Sequence, residues 1–345
     1  MNKCLVTKLK GVVSNKKLTP LGCAALTVYP SDNTFKLECE GNNVEYFTAN
    51  GEAIFSTDKS NFVNRISANQ QVFVKTDKPT LVFISNKYEL TKVDIFDSKV
   101  KVQLDIDFDD FKYCKKINAF NITHFSMLTG DISSLSSLTS LQTLQLSSTS
   151  VTGDISSLSS LTSLQTLRLD NTSVTGDISS LSSLTSLQTL LLDITSVTGD
   201  ISSLSSLTSL KTLQLSSTSV TGDISSLSSL TSLQTLRLDT TSVTGDISSL
   251  SSLTSLQTLR LYNTSVTGNI SSFNNMIGLT ELKIGNQCTG YFKTLCSSLK
   301  NNGKISGTLT FWSYGGQIKI DNQTECPNND VIATFSEEGI SYSGF

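Results

Sequence analysis

Few residues in this 345-residue chain are spaced for chemistry. There is one histidine, His124. A serine nucleophile needs such a base in a cleft, beside a positioned serine and carboxylate, and nothing around His124 marks that place. Asp105, Asp107, Asp109 and Asp110 imitate the opening of a calcium loop. However, Lys116 stands where that loop needs its bidentate Glu, and the central glycine is missing. Alternation with Ile106 and Phe108 predicts the solvent face of a strand instead. No phosphate-cradling glycine loop is present. The seven cysteines have no C-x-x-C spacing, which predicts a reduced compartment; Cys288 and Cys296 could pair, but are expected as buried thiols. An enzyme acting on surface glycans would need clustered carboxylates in a cleft, and only Asp105–Asp110 come near that. The expectation is a non-enzymatic protein with no catalytic residue, no metal site and no cofactor.

The informative part of the chain is its middle. From Leu138 a 23-residue unit reads L-T-S-L-Q-T-L-Q-L-S-S-T-S-V-T-G-D-I-S-S-L-S-S, and its copies keep register through Gly130, Gly153, Gly176, Gly199, Gly222, Gly245 and Gly268. Leu144 and Leu146 lie two apart, so they point to one side of a short strand. Leu138, Leu141, Val151, Ile155 and Leu158 complete an inward set. One unit cannot bury that set alone; stacked units can, with their strands paired into a parallel sheet. Gly153 and its equivalents predict a turn that a Cβ would strain. Thr149 and its equivalents can bond neighbouring backbone through their hydroxyls. Asp131, Asp154, Asp177, Asp200, Asp223 and Asp246 form a column ending in Asn269, each expected to accept N–H groups of its own turn rather than to hold a cation.

The frame set by Leu141, Leu144, Leu146, Thr149, Val151 and Ile155 matches L-x-x-L-x-L-x-x-(N/T/C)-x-L and resembles the leucine-rich repeat family. The V-T-G-D-I-S-S-L stretch is similar to the plant-type L-x-G-x-I-P segment, with serine in place of proline. That resemblance spans roughly residues 117–300. It implies a solenoid with a parallel concave sheet, a second short strand after the glycine, and a 3₁₀ or irregular turn on the convex side.

The fold class is therefore read as mainly β, in three parts. Residues 1–115 hold no repeat but many short β-type runs between turn signals, which predicts an all-β, sandwich-like domain. Residues 116–284 are the solenoid. Its degenerate end rungs are Ile117, Phe120 and Ile122 at one end and Leu279, Leu282 and Ile284 at the other, as expected where an open core must be covered. Residues 285–345, with the single tryptophan Trp312, read as a β-rich C-terminal cap. Asp109–Lys116 is expected to form a short helix into the first rung.

The copies differ at few positions, and apart from Lys211 and Asn269 these fall in columns. One column is Gln145, Arg168, Leu191, Gln214, Arg237 and Arg260. The next is Ser147, Asp170, Asp193, Ser216, Asp239 and Tyr262. Both flank a buried leucine, so both are expected to point outward from the concave sheet. A third column is Ser148, Asn171, Ile194, Ser217, Thr240 and Asn263. Ser156, Ser157, Ser159 and Ser160 read as equally exposed and tolerant, yet their equivalents do not vary until Phe273. Variation confined to the stripe therefore reads as a diversified binding face rather than drift, with Arg and Tyr as common interface anchors.

Net charge is −3, divided as +3 over residues 1–127 (17 basic, 14 acidic), −5 over 128–270 (4 basic, 9 acidic) and −1 over 271–345 (5 basic, 6 acidic). An acidic solenoid argues against nucleic acid as partner. Apolar runs are too short to span a membrane. Lys8, Lys10, Lys16 and Lys17 interrupt any signal-peptide core near the N-terminus, so the chain is expected to work in the cytoplasm or to leave the cell by another route.

The opening K-C-L-V-T-K-L-K-G-V-V-S-N-K-K-L-T-P-L-G resembles the start of structural proteins of crAss-like phages of gut Bacteroidales, and T-S-V-T-G-D-I-S-S-L repeats are similar to those in such phages and their hosts. That resemblance implies a virion-associated protein of fibre, decoration or tail type. Its N-terminal domain would dock on other virion proteins, its solenoid would bind a protein or a cell-surface glycan, and a homo-oligomer is possible. A bacterial surface adhesin and a cytoplasmic protein–protein scaffold are the alternatives.

Overall fold

A computed structural model describes residues 108–291 apart from 127, 277 and 286. Outside that range it describes the strands Ala24–Val28, Phe35–Gly41, Glu45–Thr48, Ala53–Ser56, Arg65–Ser67, Gln71–Thr76, Thr80–Ile84, Leu90–Phe96, Leu104–Ile106, Thr310–Ser313 and Gln317–Lys319. The chain divides into two compact units, Met1–Val174 and Thr175–Phe345.

Each repeat in either unit folds as one coil. In the copy that begins at Leu138, a three-residue strand, Thr143–Gln145, leads through a tight turn into a second strand, Ser150–Asp154, and a 3₁₀ turn, Ile155–Leu158, follows at once. The second strand thus contains the glycine and ends one residue after it, earlier than the expected strand beyond Gly153, because Asp154 already caps the 3₁₀ turn. Leu138, Leu141, Leu144, Leu146, Val151, Ile155 and Leu158 are all fully buried. Burial of one such side chain stabilises by roughly 1.5–3 kcal/mol, which is why the apolar frame tolerates so little change.

The turn after the first strand is made by residues that do not announce it. Ser148, Asn171, Ile194, Ser217, Thr240 and Asn263 all have left-handed φ, between 53° and 57°. Their N–H groups stay in the ladder: Ser148 N–H donates to Asp170 O at 2.9 Å and Ser217 N–H to Asp239 O at 2.8 Å. The next residue closes the turn. Thr149 Oγ1 donates to Leu146 O at 2.6 Å, and Thr195, Thr218, Thr241 and Thr264 repeat that bond in their own copies. The threonine column therefore bonds its own turn.

The aspartate column behaves as expected, as a set of local caps. Asp131, Asp154, Asp177, Asp200, Asp223 and Asp246 each accept the N–H two residues ahead at 2.8 Å, and Asn269 does the same at 2.9 Å. These bonds hold the carboxyls of Asp177, Asp223 and Asp246 below the usual carboxylate range. The cap explains the glycine. Gly222 has φ +108°, and a Cβ there would collide with the Asp200 carboxylate; Gly199 meets Asp177 and Gly245 meets Asp223 in the same way.

In the first unit, Ala119–Thr123 pairs in parallel with Thr143–Gln145, which pairs with Thr166–Arg168. Phe120 and Ile122 are fully buried, so the degenerate first rung is a real one. Leu90–Phe96 pairs in parallel with Ala119–Thr123 on its other side, and antiparallel with Phe35–Gly41. The same sheet runs on through Gln71–Thr76 to Ala53–Ser56. A second antiparallel sheet has the order Arg65–Ser67, Glu45–Thr48, Thr80–Ile84, Ala24–Val28, Leu104–Ile106. Whether these sheets pack as a sandwich lies outside the described residues.

Two expectations near residue 110 need correction. The strand Leu104–Ile106 stops before Phe108, and Phe108–Asp110 forms a 3₁₀ turn. No helix follows over Asp109–Lys116; the chain continues in turns. The cause is burial. Phe108 and Phe111 both leave the surface to pack edge-on against Phe120, with ring centres at 5.8 and 5.2 Å. Asp109 is exposed and accepts Ser134 Oγ at 2.8 Å.

In the second unit, Thr189–Leu191, Thr212–Gln214, Thr235–Arg237, Thr258–Leu261, Glu281–Ile284 and Thr310–Ser313 form a parallel sheet. Leu282 and Ile284 are fully buried, so the last degenerate rung is formed as well. A second parallel sheet takes Ser173–Asp177, Ser196–Asp200, Ser219–Asp223, Ser242–Asp246, Ser265–Asn269, Cys288–Tyr291 and Gln317–Lys319. Its partners, such as Thr198 with Ser219 and Asp200 with Thr221, stand two residues short of the repeat. An even offset keeps every side chain on its own face. Cys288 is a buried free thiol, pushed up to about 11 by burial; Cys296 lies outside the described residues.

Gly222→Ala should cost about 2 kcal/mol or more, because it imposes both a strained φ and the Asp200 collision. Adding Asp200→Ser should recover part of that loss by removing the collision alone. Denaturant unfolding of the two variants measures both effects.

Candidate functional site

The two variable columns sit where the backbone alternation puts them, but they are not equally open. In the first unit Arg168 is exposed, Gln145 and Asp170 are half-buried, and Ser147 is buried at 7% exposure. In the second unit Leu191, Asp193, Gln214, Ser216, Arg237, Arg260 and Tyr262 are half-buried, and Asp239 is buried at 4% exposure. The expectation that both columns point freely outward is therefore corrected at Ser147 and Asp239. Ser147 turns to the Asp170 carboxylate and Asp239 to the Tyr262 N–H, each toward a neighbouring rung rather than solvent.

The second column is partly a bonding column. Ser147 Oγ donates to Asp170 Oδ1 at 2.5 Å. Asp193 Oδ1 accepts Ser216 N–H at 2.5 Å, and Asp239 Oδ1 accepts Tyr262 N–H at 3.1 Å. Each carboxylate ties its rung to a neighbour, so part of the variation at these positions serves the ladder.

The first column carries the charge. Gln214 pairs with Arg237, Arg237 with Arg260, and Arg260 with Lys283, on adjacent strands. Three cations therefore stand in a row at ~4.8 Å per rung. Glu281, beside them, takes Arg260 at 2.7 Å and Lys283 at 3.5 Å. Glu281 and Lys283 escaped the reading of the sequence, which followed only the apolar positions of the last rung. Carrying the frame one residue to either side of Leu282 would have found them. Arg237 Nε and Arg260 Nε are buried and lack a hydrogen-bond partner among the described residues.

Asp239, two residues beyond Arg237, faces this row. Burial pushes its carboxyl up to about 6, against the lowering effects of the Tyr262 N–H and of Arg260, Lys283 and Arg237. Desolvation thus outweighs three nearby cations.

The third column differs in kind. Asn is the common non-glycine residue for left-handed φ, and a β-branched residue there is an outlier. Ile194 has φ +56° and is 60% exposed. Its strain is not offset by burial.

The premise that the convex serines are free to drift also needs correction. Ser157 Oγ donates to Asp154 O at 2.7 Å, and Ser180, Ser203, Ser226 and Ser249 repeat the bond. Ser206 Oγ reaches Ser182 O at 3.0 Å, Ser229 reaches Ser205 O at 3.1 Å, and Ser252 reaches Ser228 O at 3.0 Å, each in the preceding rung. Half of those serine positions are held by bonds. Among the described residues, no group of three or more His, Cys, Asp and Glu is placed to hold a metal, and no helix is long and apolar enough to cross a membrane. His124 is exposed, with its N–H bonded to Ser147 O at 3.0 Å.

No family model matches this chain, and no curated protein matches it. Solved structures do. The leucine-rich-repeat ectodomain of a membrane receptor kinase from Arabidopsis thaliana, in complex with Casparian strip integrity factor 2, matches at 23% identity with a TM-score of 0.51 over 66% of this chain. This chain spans 26% of that ectodomain. A plant ice-binding protein matches at 21% identity with a TM-score of 0.50, over 70% of this chain and 71% of its own. Internalin C2 of Listeria monocytogenes matches at 28% identity with a TM-score of 0.45, over 56% and 80%. The fold is the leucine-rich repeat solenoid.

The sign of the Asp239 shift gives a pH signature. Its folded value lies above the unfolded one, so its contribution to stability is full below about pH 4 and is lost as pH rises through about 6. Asp239→Asn fixes the neutral state. The variant should melt above the wild type at about pH 7.5, and the two should converge toward about pH 4. Thermal unfolding across that range is the check.

Proposed function

We propose that this chain is a non-enzymatic recognition protein whose variable columns contact a protein or cell-surface ligand. One observation carries the reading. Apart from Lys211 and the end of the last copy (Asn269 and Phe273–Asn275), differences between copies fall on outward strand positions and the left-handed turn, while the Gly contacts and the Thr turns do not change. The solenoid fold, shared with receptor and binding proteins, supports protein interaction. The finer reading is a virion-associated protein of a phage, attached through residues 1–115. It rests on the resemblance of Lys3–Gly22 to crAss-like phage structural proteins.

Replacing Arg168, Arg237, Arg260 and Tyr262 together with alanine should abolish binding to host cells or to a virion protein while the far-ultraviolet spectrum stays unchanged. Unchanged binding would refute a recognition role for the stripe. Mass spectrometry of purified particles tests the virion reading separately, since a virion protein must be present in them.

A second reading is favoured by one observation. Ser196, Thr198, Asp200, Ser219, Thr221 and Asp223 are exposed on the second sheet and do not vary between copies. A constant, hydroxyl-rich face suits an ordered ligand, and a plant ice-binding protein has a similar fold. Growth of ice crystals in the presence of the purified chain decides this: arrested or faceted growth supports it, and unaltered growth excludes it.

A further inference from the structure

The stripe of the second unit has two unlike ends. At one end is the rung Thr189–Leu191, which carries Leu191 where other copies have Gln or Arg, and Ile194 where they have Ser, Asn or Thr. Ile194 holds a left-handed φ of 56° that costs a β-branched residue free energy. Four of the five equivalent positions carry Ser or Asn, small polar types that suit this backbone better, and yet Ile194 is 60% exposed. The folded chain alone gives no reason to keep it. A strained, solvent-facing apolar side chain on a turn that otherwise takes polar residues is what an anchor for a partner looks like.

At the other end is the row Arg237, Arg260 and Lys283. Glu281 neutralises part of it through Arg260 and Lys283. Asp239 is the other carboxylate facing the row, and it also receives the Tyr262 N–H. Among the described residues, with both carboxylates ionised, three cations face two anions in the row, while Asp193, next to Ile194, is bonded to the Ser216 N–H. Arg237 and Arg260 each keep part of the side chain exposed, and a guanidinium suits a carboxylate, which accepts from it directionally.

Resting on the reading of the stripe as a recognition face, we propose that Ile194, Arg237, Arg260 and Lys283 form a docking surface for an extended acidic polypeptide segment bearing one apolar side chain. The segment lies across the rungs, its apolar residue on Ile194 and Leu191 and its carboxylates on the cationic row. At ~4.8 Å per rung, Arg237 stands ~10 Å from the Ile194 rung and Lys283 ~19 Å. An extended chain advances ~3.3 Å per residue. The acidic residues therefore follow the apolar one by about three to six positions.

The probe is a fluorescein-labelled peptide, Leu-Gly-Ser-Glu-Glu-Ser-Glu, measured by anisotropy against the full chain. Controls have Gln in place of every Glu, or Ala in place of Leu. The acidic peptide should bind, weaken as salt is raised, and lose about fivefold or more in affinity with Arg237→Gln or Lys283→Gln. Ile194→Asn should weaken the Leu peptide but not the Ala peptide, and should raise the melting temperature, a combination that a merely structural role would not give. Binding should also tighten from about pH 7.5 to about pH 5.5, as protonation removes the Asp239 anion while the peptide carboxylates stay ionised.

Equal binding of the Gln and Glu peptides, insensitivity to Arg237→Gln and Lys283→Gln, or no binding of the acidic peptide at low salt would each overturn the proposal. Such a failure is separable from failure of the recognition reading. If the quadruple alanine variant still loses its cell or virion partner, recognition stands and only the acidic chemistry falls.

Discussion

The contact on which this solenoid depends is small: an aspartate carboxylate that caps its own 3₁₀ turn and lies against a glycine of the following rung. Asp200 accepts Ser202 N–H at 2.8 Å, and the space beside it exists only because Gly222 has no Cβ. The cap ends the second strand and starts the turn that brings Leu204, Leu207 and Leu210 inward to full burial. Repetition of one such contact aligns each rung on the last. It also explains why a column of like charges is tolerated, since each carboxylate is matched by an N–H of its own turn. Asn269 makes the same bond without a charge, so the geometry rather than the charge is what the fold requires.

With the framework fixed in this way, variation is left to one side of the coil, and that side is not uniform. Carboxylates in the second column bond neighbouring rungs, as Asp193 does with Ser216 and Asp239 with Tyr262. The first column also bonds across rungs, where Arg260 meets Glu281. Its cations gather at Arg237, Arg260 and Lys283, where burial rather than charge pairing governs Asp239. A half-buried row whose net charge hangs on one carboxyl titrating at about 6 responds to pH in a way that an exposed row would not.

Much of this was legible in the sequence, and the rest was hidden for definable reasons. The leucine frame, the glycines and the aspartate caps follow from spacing alone, since Leu144 and Leu146 must share a face and Gly153 must allow a positive φ. The end rungs at Phe120 and Leu282 were readable for the same reason. The left-handed turn was not, because Ser148, Ile194 and Thr240 are residues that ordinarily avoid it. The convex serines were misjudged because a hydroxyl that bonds a carbonyl, as Ser157 does, looks the same in sequence as one that bonds water. Phe108 was misplaced on a strand because its burial against Phe120 is a tertiary effect that local alternation does not contain. Lys283 and Glu281 lay in a rung too degenerate to be compared letter by letter.

The central claim is that a constant framework carries a variable face, and that only the face recognises a ligand. It is tested most directly by equalising the copies, so that every first strand and turn carries the Gln-Leu-Ser-Ser core of Gln145–Ser148. Binding of the equalised and natural chains to candidate partner proteins and cell surfaces is then compared beside their melting temperatures. The equalised solenoid is predicted to fold with at least the natural stability and to lose the partner. Retention of the partner at full affinity would contradict the claim, and would move recognition to the constant second sheet or to the N-terminal region.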